Sequence, residues 1–254
     1  AVSCKLRILQ ALIPDHPKEL SGMIEPVVLL PGMMCDARFW WPQISHFGTR
    51  RAVHLPPMTT ADTISGIAAV VLEAAPAKFA LAGHYMGGAV AMEVIRRAPD
   101  RVTRLALMDT NPLPETPQVA ALRDPQMARA KSGRFIEVMR DEIKPADLGP
   151  GPAQAGVLEI IMNMARSLGP DVYVRQSRAM QRRPDQQGTL RRVSVPTLVL
   201  CGEHDAICPL RRHEFMAGLI PGAVLRVIPG AGHLPTLEAP GPTIKALEEW
   251  LAAT

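Results

Sequence analysis

Short apolar runs that are separated by helix-like segments organise most of the chain. Runs rich in Val, Leu, Ile and Ala occupy residues 26–30, 52–55, 78–82, 102–108, 197–201 and 223–228. Such runs do not alternate with polar residues, which predicts strands buried on both faces, as in parallel sheets covered by helices. Apolar residues recur at helical spacing over residues 43–47, 63–75, 89–95 and 243–251. The pattern predicts an α/β fold with a mostly parallel central sheet and helices on both faces.

The segment between residues 110 and 187 breaks this alternation. Prolines are frequent there, strand-like runs are absent, and helical patterns fall at residues 134–143, 155–168 and 172–182. A purely helical insertion between two strands predicts a cap over the carboxyl edge of the sheet. The predicted organisation is a core of residues 23–110 and 188–254, a helical cap insertion of residues 111–187 and an N-terminal extension of residues 1–22.

The first 22 residues do not have the pattern of a secretory signal. Lys5 and Arg7 lie near the start, but Gln10 and Pro14 interrupt the apolar segments, so no continuous apolar region follows. We interpret residues 1–22 as an N-terminal extension. A short helix over residues 5–13 that packs outside the core is the alternative.

Composition narrows the classes of partner. A length of 254 residues favours one domain, and an apolar fraction of 47% is ordinary for a globular core. The net charge of +4 is a mild excess, carried largely by Arg-Arg pairs that we interpret as solvated helix ends and strand edges. A nucleic-acid surface would combine a basic face with interleaved aromatic residues, whereas aromatic residues make up only 4% of this chain. We therefore predict a small-molecule substrate and no nucleic-acid partner.

Cysteine usage and hydropathy predict a protein without metal, cofactor or membrane anchor. Cys4, Cys35, Cys201 and Cys208 form no C-x-x-C pair, which favours free thiols in a reducing compartment, hence the cytoplasm. The sequence contains no cluster with metal-ligand spacing. No apolar run reaches the roughly 18 residues expected of a membrane helix. The oligomeric state does not follow from the sequence.

Candidate chemistry lies where the predicted strands end. Four turns follow strands directly, at residues 31–34, 83–88, 202–208 and 230–233. Ligands of such sheets bind outside the carboxyl ends of the strands. The second turn, Gly83-His84-Tyr85-Met86-Gly87-Gly88, joins a buried strand to a helix and has the frame of a nucleophile elbow, G-x-S-x-G. Its central position carries Tyr85 where serine is expected.

From about residue 26 to its end, the chain resembles the α/β-hydrolase fold family. Leu30-Pro31-Gly32-Met33 resembles the oxyanion loop, Gly202-Glu203-His204-Asp205 the acid loop, and Gly230-Ala231-Gly232-His233 the histidine loop. The order of nucleophile, acid and base is the order of that family. The resemblance implies an enzyme of the serine carboxylic-ester hydrolase class, which needs no cofactor.

The resemblance also implies a role for individual residues. His233 would be the general base and Asp205 the carboxylate that fixes its tautomer. Asp109, which also ends a strand, is the rival acid. His84 would be a satisfied neighbour of the elbow.

Five further positions complete the implied site. The backbone N–H groups of Met33 and Met86 would form the oxyanion hole, the pair of donors that stabilises the tetrahedral intermediate. Met34, Phe39 and Trp40 would line an apolar substrate pocket. Cys35 and Cys208, which flank the site in sequence, are interpreted as small apolar residues.

Tyr85 changes the expected chemistry. A phenol oxygen lies several ångströms farther from Cα than a serine hydroxyl, whereas attack geometry tolerates errors of only about 1 Å before large losses of rate. We therefore predict that serine-type acyl transfer is weak or lost in this chain.

Three functions fit the sequence. The first is an esterase-like hydrolase of a small apolar ester or related acyl substrate whose nucleophile has been replaced. The second is a non-hydrolytic, cofactor-free enzyme, similar to the dioxygenases and lyases of this fold, with a His233–Asp205 base and with Tyr85 orienting the substrate. The third is a catalytically silent ligand-binding protein. Substrate identity does not follow from the sequence, because helical caps vary on this fold.

Overall fold

A single parallel sheet forms the centre of the protein. The computed structural model describes residues 24–253, so the predicted N-terminal extension of residues 1–22 lies outside the described residues. The sheet has the strand order β2-β1-β3-β4-β5-β6, and every neighbouring pair runs parallel. The strands are β1 (Val27–Leu30), β2 (Val53–His54), β3 (Phe79–His84), β4 (Val102–Met108), β5 (Thr197–Gly202) and β6 (Val224–Ile228). The predicted sheet is confirmed.

Helices cover both faces of this sheet. They are α1 (Trp41–Phe47), α2 (Ile64–Ala74), α3 (Met86–Arg97), α4 (Pro117–Arg129), α5 (Phe135–Glu142), α6 (Gln154–Gln181), α7 (Gln187–Leu190), α8 (Leu210–Leu219), α9 (Pro235–Glu238) and α10 (Pro240–Ala252). Alternate residues of β1 enter different cores, because successive side chains of a strand point to opposite faces. Val28 packs in the cluster that contains α2, α3 and α8, and Val27 packs in the cluster that contains α1 and α10.

Four helices were not predicted from the sequence, namely α4, α7, α8 and α9. Helix α4 begins with Pro117, whose missing N–H is harmless in the first turn, and the Thr116 side chain caps the helix by accepting a hydrogen bond from Val119 N at 3.3 Å. Pro125 lies inside the same helix. The sequence analysis noted frequent prolines in this segment and predicted no helix over these residues. Helix α8 also lacked a sequence-based expectation.

Helix α6 reproduces two predicted helical segments as one interrupted element. Gly169 has a non-helical backbone (φ 78°, ψ 173°) and is followed by Pro170, so the helix changes direction there. The interruption falls between the predicted segments at residues 155–168 and 172–182. Helices α4 to α7 all lie between β4 and β5 in the chain, and the cap that we predicted from this segment stays a proposal.

Two observations bear on the predicted environment of the chain. Within residues 24–253, no helix has both the length and the apolar character needed to cross a membrane. Cys35, Cys201 and Cys208 are buried and free. Cys4 lies outside the described residues.

The turn between β3 and α3 is held by backbone contacts that leave no room for side chains. A Cβ atom on Gly87 would lie 2.3 Å from the Leu30 carbonyl oxygen. A Cβ atom on Gly83 would lie 2.3 Å from the carbonyl oxygen of Gly87. Helix α3 therefore starts in direct backbone contact with β1 and β3, and this contact fixes the position of the residues between them.

We expect Gly87→Ala to destabilise the protein, because its methyl group would overlap the β1 backbone. The free energy of unfolding, measured by urea titration, should fall by about 1–3 kcal/mol, as for other overpacked cores. Gly218→Ala is the matched control, since Gly218 lies in α8 with no atom within 4 Å of the added methyl group. That control should be neutral or more stable by up to about 1 kcal/mol. Equal stability of the two variants would contradict the proposed backbone contact.

Candidate active site

Tyr85 occupies the tip of the turn in a strained conformation. Its dihedral angles are φ 48° and ψ −107°, which are rare for a residue with a side chain. Tyr85 N donates to the Met108 carbonyl oxygen at 3.0 Å, and the Thr110 hydroxyl donates to the Tyr85 carbonyl oxygen at 2.8 Å. Strain of this kind persists only where the surrounding structure enforces it. The turn has the geometry of a nucleophile elbow although its central residue is tyrosine.

The side chain of Tyr85 packs against the predicted base. Its ring meets the His233 ring edge-on, with centroids 5.1 Å apart and an interplanar angle of 81°. Within residues 24–253, no hydrogen bond joins the Tyr85 hydroxyl to His233. Burial raises the pKa of the Tyr85 hydroxyl above its ordinary value, and the positive charge of Arg123 partly offsets this effect. Tyr85 thus contacts the histidine through its ring and not through its hydroxyl. The hydroxyl holds its proton more firmly than that of a free tyrosine.

Asp205 and His233 form a buried hydrogen-bonded pair. His233 Nδ1 donates to Asp205 Oδ1 at 3.0 Å, and the same oxygen accepts the N–H groups of Ile207 and Cys208 at 2.9 Å each. Burial opposes ionisation of Asp205, but His233 and the Cys208 N–H outweigh it and lower the pKa of the carboxyl. An ionised Asp205 therefore fixes the tautomer in which Nε2 of His233 carries the lone pair.

Asp109, the rival acid, lies beside this pair. Its Oδ1 accepts the Gly202 N–H at 2.9 Å, and its Oδ2 has no partner in the described part of the chain. Burial, reinforced by the negative charge of Asp205, raises the pKa of Asp109 well above its ordinary value. Ligand atoms of Asp109, Asp205 and His233 lie within 4.8 Å of one another, a spacing that could hold a metal ion. The existing hydrogen bond between His233 and Asp205 would then have to break.

His84 supports the histidine loop by a hydrogen bond to its backbone. Its Nε2 donates to the His233 carbonyl oxygen at 2.7 Å, and its ring lies on Phe39 with centroids 4.5 Å apart. Burial lowers the pKa of His84 to about 3, so the ring is neutral at physiological pH. Its Nδ1 has no partner among the described residues, so the predicted satisfied neighbour is satisfied on one side only.

The two predicted oxyanion donors are both unbonded. In the part of the chain that the structure describes, no acceptor is bonded to the N–H of Met33 or of Met86, the latter being the first residue of α3. Met34 has a left-handed backbone (φ 56°), and its N–H donates to Gln176 Oε1 at 2.8 Å. Gln176 Nε2 in turn donates to the Met58 carbonyl oxygen at 3.1 Å. A side chain of α6 therefore holds the loop that carries Met33.

A second carboxylate orders the histidine loop. Glu238 accepts the N–H groups of Gly232 at 3.0 Å and Leu234 at 2.7 Å, the two residues on either side of His233. It also accepts the N–H of Gly149, which precedes α6. The sequence analysis missed both Glu238 and Gln176. Nothing in their local sequence indicates partners so far away along the chain.

A cavity of about 220 Å³ opens over Tyr85 and His233. Met33, Met34 and Cys35 line it from the sheet side. Helices α4 and α5, with Ile143 and Tyr173, supply the opposite wall, which consists of Val119, Leu122, Arg123, Gln126, Met139, Glu142, Ile143 and Tyr173. The prediction of Met34 as a lining residue agrees with this placement.

The structure does not bring Phe39 and Trp40 to the cavity. Both side chains are fully buried, and their rings pack together edge-on with centroids 5.1 Å apart. They fill the core under the sheet edge, where Phe39 also supports His84. Burial of large aromatic area inside the core stabilises the fold. Their prediction as pocket residues is corrected accordingly.

The cysteines near the cavity do not supply an alternative nucleophile. Burial raises the pKa of the Cys35 thiol to about 12 and also raises the pKa of the Cys208 thiol. A protonated thiol is a poor nucleophile. This finding agrees with the interpretation of both residues as small apolar groups.

Arg123 is the main polar residue that the sequence analysis missed. Val119, Leu122, Arg123 and Gln126 follow helical spacing on α4 and line the cavity together. The sequence contains that spacing, but Pro117 and Pro125 kept it from being recognised as a helix.

Comparison with known proteins identifies a family and several proteins of similar sequence or structure. The model of a family described as the alpha/beta hydrolase family matches residues 27–246. A pimeloyl-[acyl-carrier protein] methyl ester esterase of Chromobacterium violaceum is 26% identical over 249 residues, which cover 92% of this chain and 96% of that protein. A thermophilic esterase of Thermogutta terrifontis is 29% identical with a TM-score of 0.81, over 91% of this chain and 90% of that one. The enol-lactonase of Burkholderia xenovorans LB400 is 21% identical with a TM-score of 0.81, covering 92% and 94% of the two chains, and shares the fold.

We expect Asp109→Asn to stabilise the protein increasingly as the pH rises. Asp109 has a raised pKa in the folded state, whereas the unfolded state releases this proton above about pH 4. Between about pH 4 and the raised pKa of Asp109 in the folded state, the stability of the native protein therefore falls with rising pH, by at most about 1.4 kcal/mol per pH unit. The uncharged asparagine removes that loss. Urea unfolding at a series of pH values measures the difference between the two proteins.

Asp100→Asn controls for the loss of one negative charge, because Asp100 is exposed. A stability difference between Asp109→Asn and the native protein that stays constant with pH would contradict the assigned protonation of Asp109.

Proposed function

The chain belongs to the alpha/beta hydrolase family, and we propose that its site follows the Ser-His-Asp plan of the carboxylic-ester hydrolases with Tyr85 at the nucleophile position. The observation that carries this proposal is the buried Asp205–His233 pair, with a 3.0 Å hydrogen bond, beside a strained turn at Tyr85. A histidine oriented in this way is the standard means of taking a proton from a hydroxyl nucleophile.

His233 is the proposed general base. Its Nδ1 donates to Asp205, so the lone pair lies on Nε2, and the residue lines the cavity. Asp205 would stabilise the imidazolium that forms when the base takes a proton. The unbonded N–H groups of Met33 and Met86 are the proposed donors to the oxyanion, and a lost donor of this kind costs on the order of a hundredfold in rate.

Tyr85 makes acyl transfer weak or absent in this proposal. Its ring occupies the space next to His233, with 5.1 Å between the ring centroids. No hydrogen bond between the Tyr85 hydroxyl and His233 exists within residues 24–253 to carry the proton away. Burial also raises the pKa of the hydroxyl, which opposes formation of a phenolate nucleophile. Geometry and acidity thus favour the same outcome.

The proposed substrate is a small ester or related acyl compound. The cavity of about 220 Å³ admits only a short molecule, and methionine, leucine, isoleucine and valine side chains form much of its wall. Helices α4 to α6, part of the proposed cap of residues 111–187, would select the substrate. A reducing compartment such as the cytoplasm belongs to the proposal, because the three described cysteines are free thiols.

We expect Tyr85→Ser to create esterase activity. The serine hydroxyl would lie closer to the elbow backbone, near both the base and the oxyanion donors, and kcat/KM for p-nitrophenyl acetate should rise by about 100-fold or more. Release of p-nitrophenol measures this activity. Tyr85→Phe, which lacks any hydroxyl at this position, should stay at the level of the native protein.

His233→Ala, added to Tyr85→Ser, should abolish the gain, since the base would be missing. The hydrolase plan fails if Tyr85→Ser shows no gain in turnover while its unfolding transition matches that of the native protein.

A second candidate function is a non-hydrolytic reaction in which His233 removes a proton from carbon. The observation in its favour is that Tyr85 and His233 line one cavity without bonding each other, which leaves both side chains free for a substrate. In this reaction the Tyr85 hydroxyl would orient the substrate and Nε2 of His233 would be the base.

This candidate predicts base-catalysed exchange of an acidic C–H bond in the native protein. Deuterium incorporation into ethyl acetoacetate, followed by NMR, should exceed the buffer rate and should fall by about 100-fold in His233→Ala. Tyr85→Phe should reduce exchange by about tenfold, the effect of one lost hydrogen bond. Exchange at the buffer rate, or exchange that survives His233→Ala, would exclude the candidate. Exchange that depends on His233 would exclude a catalytically silent protein.

A further inference from the structure

Two buried arginines share one carboxylate on the far side of the cavity. Arg123 donates from Nε to Glu115 Oε2 at 2.8 Å, and Arg183 donates from Nη1 to Glu115 Oε1 at 3.1 Å. The side chains of all three residues are at most 8% exposed. This cluster of Arg123, Arg183 and Glu115 therefore holds two positive charges against one negative charge, away from water. Excess charge in such a place is costly unless another group compensates it.

Arg123 directs an unused donor toward the cavity wall. Its Nε and Nη2 are occupied by Glu115, and the partner of its Nη1 is the Met33 thioether sulfur at 3.9 Å. A thioether is a weak acceptor and carries no charge. Arg123 is only 5% exposed and lines the cavity. A guanidinium edge in this condition binds a carboxylate oxygen far better than it binds sulfur.

Arg183 is already satisfied and holds Arg123 in place indirectly. Its Nε donates to the Leu113 carbonyl oxygen at 2.8 Å while its Nη1 contacts Glu115. Glu115 therefore remains fixed and paired even when Arg123 turns part of its charge toward a ligand. The cluster offers a preorganised cation, which reduces the cost of binding an anion.

Glu142 is the carboxyl group that competes for Arg123 at the cavity. It lines the cavity and accepts a hydrogen bond from the Tyr173 hydroxyl at 3.1 Å. Burial raises the pKa of Glu142, whereas the charge of Arg123 acts in the opposite direction. A ligand anion beside Arg123 would lie near the Glu142 carboxylate, and the two like charges would repel each other.

We propose that Arg123 binds a carboxylate carried by the substrate, so that the substrate class is a short ester or lactone with one free carboxylate. The Arg123 guanidinium, whose Nη1 has only a thioether partner, matches a carboxylate, and the small, largely apolar cavity matches a short carbon chain. The contact of Arg123 with Met33 places this cation beside the proposed oxyanion loop. The inference rests on the proposed function for the ester or lactone carbonyl, whereas the anion site itself requires no turnover.

The anion site is tested by binding to the native protein. Isothermal titration with monomethyl glutarate, and with its neutral counterpart dimethyl glutarate, measures the value of one carboxylate. The monoanion should bind about 30-fold more tightly, and Arg123→Gln should remove this preference, as expected for truncation of a buried charge partner. Arg140→Gln, an exposed change of the same charge on α5, is the control and should keep the preference.

Glu142→Gln should change the affinity for the monoanion in the opposite direction to Arg123→Gln. A damaged fold would not raise this affinity. Removing the competing carboxylate should tighten binding of the monoanion several-fold, which is about the effect of one nearby like charge. Binding of the neutral dimethyl glutarate should stay unchanged. Equal binding of the two esters by the native protein overturns the proposal. Weaker binding of the monoanion by Glu142→Gln, or an unchanged preference in folded Arg123→Gln, also overturns it.

Turnover in the Tyr85→Ser background separates this inference from the proposed function. If both esters are hydrolysed and Arg123 confers no preference for the monoanion, the anion site is contradicted and the hydrolase plan is supported. Arg123-dependent binding without hydrolysis would keep the anion site and remove the hydrolase plan.

Discussion

Backbone contact at the start of α3 is the constraint on which the site depends. Gly87 lies against the Leu30 carbonyl oxygen, and Gly83 lies against Gly87. These contacts fix the backbone conformation between Gly83 and Gly87. That constraint forces Tyr85 into a conformation that costs on the order of 1–3 kcal/mol. The elbow is therefore a property of the glycines around it. A tyrosine can occupy its tip because the backbone, rather than the side chain at that position, determines the turn.

The same sheet edge collects the buried ionisable groups. His84 ends β3, while Asp109 and Asp205 lie just beyond β4 and β5, three neighbouring strands whose parallel direction brings their ends together. Burial raises the pKa of both carboxyls, and their different bonding partners then shift the two pKa values apart. Asp205 is ionised because His233 and backbone N–H groups bond to it, whereas Asp109, with one backbone partner, has a raised pKa. Two similar side chains thus have pKa values that are shifted in opposite directions, because their surroundings differ.

Sequence reasoning identified what depends on local pattern. Uninterrupted apolar runs located the strands, and turns after those strands located Asp205 and His233, which the structure joins by a hydrogen bond. It failed where tertiary packing decides. Phe39 and Trp40 are buried in the core because space exists beneath the sheet edge, which no sequence pattern reveals. Gln176 binds a loop 142 residues away, and Arg183 meets Glu115 across 68 residues, so neither contact leaves a local signal. Helix α4 contains Pro117, which its capped first turn tolerates, and Pro125 in its interior, and these prolines obscured its helical spacing.

Gln176 and Glu238 also bear on how such a protein evolves. Two of the side chains that join the helical segment between β4 and β5 to the core lie beside the site, since Gln176 bonds to Met34 and Glu238 bonds to Gly149. Recombination that exchanges this segment with that of a relative would have to reproduce both junctions, or the loops beside Tyr85 would lose their supports. Substitutions on the outer surfaces of α4 to α6 would disturb these loops less than substitutions at the junctions. New substrate preferences would then arise by substitution within an inherited frame more readily than by exchange of the whole segment.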